Sequence, residues 1–279
     1  IRYCSLYFFI CIYTAIIAKL KLTNLVFNMK IEILCSTMHG KVPLSIDKGF
    51  NQEKMIIVNQ CAEDSDCNNS YLNFFERGIS KSRNRAISNA SADICLITDN
   101  DVYFDKNILR TIQKSFDDYP EADILTFQIE TPEGDRFKNY KKDFFWHNNL
   151  SVAKVSSVEI AFRRKSIIEK NLKFDENFGL GSMFPTGEEY IFLSDALKSG
   201  LKIGYIPEVI AYHPKESSGG DFKNLSLIEA KGAMIRRVFG FKGIIVCLFF
   251  SLKKYKSSNM GFNTFFKIMV NGYLKSCKL

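Results

Sequence analysis

No two cysteines in this chain are spaced as C-x-x-C, although eight are present (Cys4, Cys11, Cys35, Cys61, Cys67, Cys95, Cys247 and Cys277), which excludes a zinc ribbon and a dithiol redox motif. Cys35 and Cys95 fall inside apolar runs, where a thiol packs as a small hydrophobe, so the expected compartment is a reducing cytoplasm. Histidine is scarce, three in 279 residues. No apolar run reaches the roughly 20 residues that a comfortable bilayer crossing needs, which argues against a multi-span membrane protein. Acids are missing from residues 231–279, which hold ten Lys/Arg, and from residues 1–28, which hold Arg2, Lys19 and Lys21. Because the whole chain is only +8, the stretch between these ends carries a net −5. An acidic body with basic ends excludes a nucleic-acid reader, whose cations line the folded groove, and favours a metal-assisted site with an electrostatically adhesive tail.

What is present fits one sizeable α/β domain with appendages. Residues 1–28 contain the apolar stretch Tyr3 to Ala18, sixteen residues between Arg2 and Lys19. It reads as sequence upstream of a start at Met29, the rival being an anchor. Residues 29–220 form the expected domain and 221–279 a basic amphipathic tail. In that tail the run Ile244 to Phe250 lies among Arg236, Arg237, Lys242, Lys253, Lys254 and Lys256, which suits contact with an anionic membrane surface. The alternative is a helical pair packed on the domain with a solvated basic face.

Short β-rich runs at Ile31 to Cys35 and Lys54 to Asn59 predict buried parallel strands. A helix over Lys81 to Asn89 with Ser80 as N-cap follows, then a strand from Asp93 to Thr98, a helix around Lys106 to Phe116 and a strand from Ala122 to Gln128. Such alternation implies a mostly parallel sheet with helices on both faces, and ligands bind beyond the carboxyl ends of such strands. Residues 131–150, with Phe144-Phe145-Trp146-His147, read as a loop over the site. A helix from Glu188 to about Lys198 stops at Gly200, and two short strands, Ile203 to Ile206 and Val209 to Tyr212, lead to His213.

Three constellations carry chemistry. Asp99-Asn100-Asp101 ends an apolar strand, where carboxylate oxygen can hold a hard cation and leave positions open for diphosphate, although a lone D-x-D often only turns the chain. Glu188 and Glu189, after Gly187, offer a general base for a sugar hydroxyl, although acids in a first helical turn also simply suit the macrodipole. His213 at a strand end is a candidate metal or diphosphate ligand, and Arg83 in the first turns of a helix can meet a phosphate or order the aspartates.

In order along the chain, Ser36-Thr37, the Gly78 to Asn84 run (G-I-S-K-S-R-N), the D-x-D at 99–101, Phe174-Asp175-Glu176, Gly187-Glu188-Glu189 and the terminal His213 resemble the motifs of the family 2 glycosyltransferases, particularly the capsule and lipopolysaccharide-type members. The resemblance spans about residues 29–215. It implies a GT-A-like, Rossmann-type fold, a nucleotide sugar such as a UDP-sugar as donor, a divalent cation (Mn²⁺ or Mg²⁺), and displacement with inversion. The acceptor it implies is a glycan or lipid-linked species, met by an enzyme peripheral to the inner face of the cell membrane. It further implies that Asp99 touches the donor ribose, Asp101 and His213 hold the metal, Glu189 is the base beside Glu188, Thr37 helps hold that base, and Arg83 helps hold the donor. The second strand departs from the family, which often has paired acids there. Here it ends in Val58-Asn59-Gln60, so Gln60 is expected at the donor, with Glu63, Asp64 or Asp66 as nearby substitutes. The base is also Glu where many relatives carry Asp.

Two other readings stand beside this one. A sugar-phosphate nucleotidyltransferase requires a phosphate loop rich in Gly and Arg/Lys after the first strand, and Ser36 to Lys41 matches that poorly. An inactive assembly module keeping the fold is opposed by the joint presence of Asp99, Asp101, Glu189 and His213.

Overall fold

The computed structural model describes residues 29–214 and 222–278. The leader at 1–28 lies outside the described residues, apart from which residues 31–279 form one compact unit.

Among the described residues nine strands form a single sheet: β1 (Ile31–Met38), β2 (Met55–Gln60), β3 (Leu72–Phe74), β4 (Ile94–Asp99), β5 (Tyr103–Phe104), β6 (Ile124–Glu130), β7 (Phe145–Trp146), β8 (Ile160–Arg163) and β9 (Ile203–Tyr212). Their order is β3-β2-β1-β4-β8-β6-β9-β5, with β7 also on β9. Strands β1, β2, β3, β4, β6 and β9 run one way, whereas β5, β7 and β8 run against them, so the sheet is mostly parallel. The central strands are apolar on both faces, as burial under flanking helices requires: Ile94 to Ile97 on β4 are wholly buried. The helices are α1 (Leu44–Asp47), α2 (Ile79–Asn89), α3 (Ile108–Asp118), α4 (Arg164–Glu169), α5 (Glu188–Lys198), α6 (Leu225–Phe239), α7 (Gly243–Lys254) and α8 (Phe262–Lys275).

Three local expectations need correction. The N-cap of α2 is Gly78 (φ 123°), not Ser80, whose hydroxyl instead donates to the Phe178 carbonyl at 2.6 Å and ties α2 to the segment before α5. The two strands expected at 203–212 are one. Tyr205 pairs with Thr126 and Val209 with Gln128, so a bulge accommodates Pro207, which lacks the N–H a regular ladder needs. The aromatic run at 144–147 is not a cover over the site: Phe145 and Trp146 are β7, paired with Tyr205 and Gly204, and Phe144 stacks on Tyr119 at 4.0 Å. Packed this way Phe144 and Phe145 are half-buried and Trp146 stays exposed, and none of them lines the cavity.

The C-terminal helices share the core of the sheet domain. Ile228, Ala230, Met234 and Ile235 of α6 belong to the same buried cluster as Ile191, Phe192 and Leu193 of α5. Polar ties reinforce this: Lys198 donates to the Val238 carbonyl at 2.8 Å, and Arg237 bridges Asp175 (2.9 Å) and Asp195 (2.7 Å). Helices α6 and α8 meet backbone to backbone at two glycines; a Cβ on Gly232 would stand 1.9 Å from the Met269 carbonyl oxygen, and one on Gly272 1.8 Å from that of Glu229.

Candidate active site

Parallel register brings the strand ends level, with Ser36 opposite Asp99 and Thr37 opposite Asn59. A cavity of about 780 Å³ opens there, and Thr37, Gln60, Arg83, Asp99, Asp101, Glu188, Glu189 and His213 all line it. The first five come from the β1, β2 and β4 ends and from α2, the glutamates from the start of α5, and His213 from the end of β9.

Arg83 ties these elements together. Its guanidinium is almost fully buried and stands 3.3 Å from Asp99, 3.0 Å from Glu188 and 3.8 Å from Glu189. Burial works against its charge, but the three carboxylates outweigh that and raise its pKa. Its terminal nitrogens are therefore occupied by the protein's own acids, so of the two roles open to it the geometry favours ordering the carboxylates. The other oxygen of Asp99 accepts from the Ser157 hydroxyl at 3.3 Å.

Glu188 is buried, and burial first, then the charge of Glu189, push its carboxyl up to about 7 against the opposing pull of Arg83. Glu189 is the more open of the pair. Gly187 before them has φ 99°, the left-handed region, and a Cβ there would meet the Met234 sulfur at 2.7 Å, so only glycine lets α6 close under the start of α5.

Asp101 is half exposed, and its Oδ1 lies 3.5 Å from His213 Nε2. The other ring nitrogen, Nδ1, faces the Pro214 carbonyl, an acceptor, and so carries the proton. Nε2 and Asp101 Oδ1 therefore stand as an ion pair when the ring is protonated and as two potential ligands when it is neutral. Among the described residues no group of three or more His, Cys, Asp or Glu converges as a cage. Asp101 and His213 are two side chains of the kind that ligate a divalent cation, standing together at the cavity. Of the other histidines, His147 has both nitrogens engaged, with Thr126 and Ser151, and burial lowers its pKa to about 4.

The polar wall at the β1 and β2 ends is held from within. Thr37 donates to the Lys41 carbonyl (2.9 Å) and accepts from Asn100 (3.0 Å); neither glutamate is among its partners. Asn100, the middle residue of the D-x-D, thereby fastens the loop after β1. Gln60 donates to the Gly78 carbonyl at 3.0 Å. Asp66 accepts from the Ala62 N–H and pairs with His39 at 2.9 Å, so it shapes the turn after β2. Sequence reasoning misses Ser157, which donates to Asp99; Phe137, which lines the cavity with its ring 5.4 Å from that of His213; and Lys231 of α6, whose Nζ donates to the cavity residue Thr186 at 3.3 Å.

Residues 56–187 match the family model described as Glycosyl transferase family 2, a match that stops one residue short of Glu188. No curated protein sequence matches the chain. Among solved structures, S. aureus TarS superposes with a TM-score of 0.54 at 16% identity, over 83% of this chain and 44% of that one. The TarS fragment 1-349 gives 0.56 at 14% identity, over 88% and 92%. The same fragment in complex with UDP-GlcNAc gives 0.56 at 13%, over 88% and 92%. This chain spans less than half the length of the longer TarS structure, and at these identities the likeness is one of fold. From β2 to the threshold of α5, then, the chain is similar to a family 2 glycosyltransferase domain, and its fold is the one TarS shares.

Proposed function

We propose that the chain is an inverting glycosyltransferase that moves a sugar from a UDP-sugar to a hydroxyl of a lipid-linked surface glycan of the capsule or lipopolysaccharide kind. The observation that carries this reading is the convergence, in one cavity, of the Asp101–His213 pair and the Glu188–Glu189 pair, linked by buried Arg83 through Asp99 and the glutamates. That TarS 1-349 has been crystallised with UDP and with UDP-GlcNAc supports a uridine nucleotide as the donor.

In this reading Glu189, the more open carboxylate, takes the proton of the acceptor hydroxyl as its oxygen attacks the anomeric carbon from the face opposite the diphosphate. The bond from that carbon to the diphosphate oxygen breaks, and UDP departs with the electron pair. Asp101 and His213 would hold a divalent cation, which would supply charge neutralisation for a departing diphosphate. Gln60 and Asp99 line the nucleoside end, with Thr37 fastening the wall between them. Arg83 holds Asp99 and the glutamates in one arrangement, so that little reorganisation accompanies transfer.

A membrane-lying position at the inner face fits the surface of α7. Phe241 (84% exposed), Ile245, Phe249 (65%) and Leu252 stand out in solvent among Lys242, Lys253, Lys254 and Lys256. Apolar side chains of this kind enter the headgroup boundary while lysines attract anionic lipid. No helix among the described residues is long and apolar enough to cross a membrane.

The test is UDP release from a panel of UDP-sugars, with Mn²⁺, Mg²⁺ or EDTA, for the wild type, Asp101→Ala and Glu189→Gln. Metal-dependent turnover of one donor, lost in both variants, is expected. Binding without turnover under every acceptor condition would instead favour the inactive module.

A further inference from the structure

The C-x-x-C spacing is absent from this chain, yet the fold brings two cysteines into contact without it. Cys61 follows Gln60 at the end of β2, and Cys67 follows the 3₁₀ turn Asp64–Asp66. Their sulfurs stand 3.5 Å apart, the Cys67 thiol donating to that of Cys61. The turn between them is closed by Asp66, which accepts from the N–H groups of Ala62 (2.7 Å) and Glu63 (3.3 Å) and pairs with His39. The chain therefore reverses between the two cysteines before any bond joins them. They differ in access. Cys61 is buried, whereas Cys67 is part-exposed after the solvent-facing stretch Ala62 to Ser65.

We propose that Cys61 and Cys67 form an oxidative modification site, a thiol pair that a peroxide converts to a disulfide, and that the bridge is felt at the nucleoside end of the cavity through Asn59. The pairing stands apart from the transferase reading; only its bearing on nucleotide binding rests on that reading.

The more exposed sulfur reacts first. The Cys67 thiolate attacks a peroxide oxygen, the O–O bond breaks, and hydroxide leaves and takes up the thiol proton as water, so that Cys67 becomes a sulfenic acid. The sulfur of Cys61 then attacks that of Cys67, the S–O bond breaks, and the hydroxyl departs with the Cys61 proton as a second water. The pair has lost two electrons and two protons, and the peroxide has gained them. Burial, helped by the hydrogen bond from Cys67, pushes the Cys61 thiol up to about 11, which keeps it protonated until the sulfenic acid stands beside it. In a reducing compartment such a pair rests as thiols and its bridge is transient. The link to the cavity is Asn59, which is wholly buried. Its amide nitrogen donates to the Asp66 carbonyl (2.8 Å), to Asn73 (2.8 Å) and to the Cys61 sulfur (3.2 Å), and its oxygen accepts from the Gly40 N–H (2.9 Å). Gly40 lies between His39 and Lys41, which both line the cavity. Joining the sulfurs draws them from contact to about 2 Å, which shifts the Asp66 carbonyl next to Cys67 and, through Asn59, the loop after β1.

The full chain is treated with stoichiometric hydrogen peroxide, alkylated, and digested with trypsin, which cuts after Lys54 and Arg77 and so releases both cysteines on one peptide. In wild type this peptide is expected to lose two hydrogens and resist alkylation, and to recover both thiols in dithiothreitol. Cys61→Ser leaves a sulfenic acid on Cys67 that dimedone traps; Cys67→Ser leaves Cys61 unmodified. In ¹H–¹⁵N spectra the Gly40 amide shifts on oxidation, returns on reduction and stays in place in Cys67→Ser. UDP binding, measured calorimetrically, weakens on oxidation by about three- to tenfold, the worth of one hydrogen bond. No bridge, a bridge from either cysteine to a different one, or a dimedone adduct on Cys61 in Cys67→Ser overturns the proposal. A Gly40 amide blind to oxidation, or equal UDP affinity in the two states, overturns the link to the cavity. A protein that forms the bridge and shifts Gly40 yet binds no UDP in either state supports the thiol pair and refutes the transferase reading, so the two fail separately.

Discussion

Replacing Glu188 by Gln should make the protein more stable, and only at neutral to alkaline pH. The carboxyl has an ordinary value of 4.5 and sits at about 7 in the folded chain. Between these two values the folded state holds a proton that the unfolded state has released, so stability falls as pH rises through this window and the full penalty is present above it. At about 1.4 kcal/mol per pH unit the gap corresponds to about 3 kcal/mol at pH 8, and to under about 1 kcal/mol at pH 5. Glutamine mimics the protonated acid and retains an oxygen to accept from Arg83, whose charge is still met by Asp99 and Glu189. Thermal and urea denaturation of wild type and Glu188→Gln at pH 5 and pH 8 measure the effect. By size scaling the gain at pH 8 is on the order of 5–10 °C in Tm. A variant no more stable than wild type at pH 8, or one equally shifted at both pH values, would refute the view that Glu188 is ionised against its surroundings.

Other outcomes follow from the same geometry. Gly232→Ala forces α6 and α8 apart, because its methyl would stand 1.9 Å from the Met269 carbonyl oxygen; a loss of about 1–3 kcal/mol in denaturation is expected. Phe249→Glu, at a residue 65% exposed, should leave Tm unchanged and abolish co-sedimentation with vesicles rich in anionic phosphatidylglycerol; retained binding would remove α7 from the membrane contact. His213→Ala should weaken Mn²⁺-dependent UDP binding, measured calorimetrically, while leaving binding in EDTA unaltered.

How much of this was legible in the sequence depends on how local each signal is. Strand ends are local: an apolar run closing on polar residues places Asp99, Gln60 and Thr37 at one edge of the sheet, and the register confirms that they line one cavity. The start of α5 is equally legible, because Gly187 and two acids mark a helix opening. Side-chain partnerships across the fold were not. Arg83 could be placed near the site, but its division between Asp99 and the glutamates depends on α2 and α5 meeting across a sequence separation of 105 residues. Phe144 to Trp146 misled because an aromatic run between polar stretches has the composition of a loop, whereas the decisive fact was an apolar edge on β9 to receive it. Lys231 had no signal at all. A lysine in a basic segment looks like surface charge until packing brings it to Thr186.

The Met234 contact beneath Gly187 also bears on where the chain can be divided. The family match ends at residue 187, which invites the cutting of a fragment at that point or soon after. A fragment ending at residue 187 would keep the strand ends and the D-x-D yet lose α5, β9 and α6, and with them Glu188, Glu189 and His213 of the cavity. The stretch that the family model matches is therefore shorter than the stretch that folds, and its edge runs through the middle of the site.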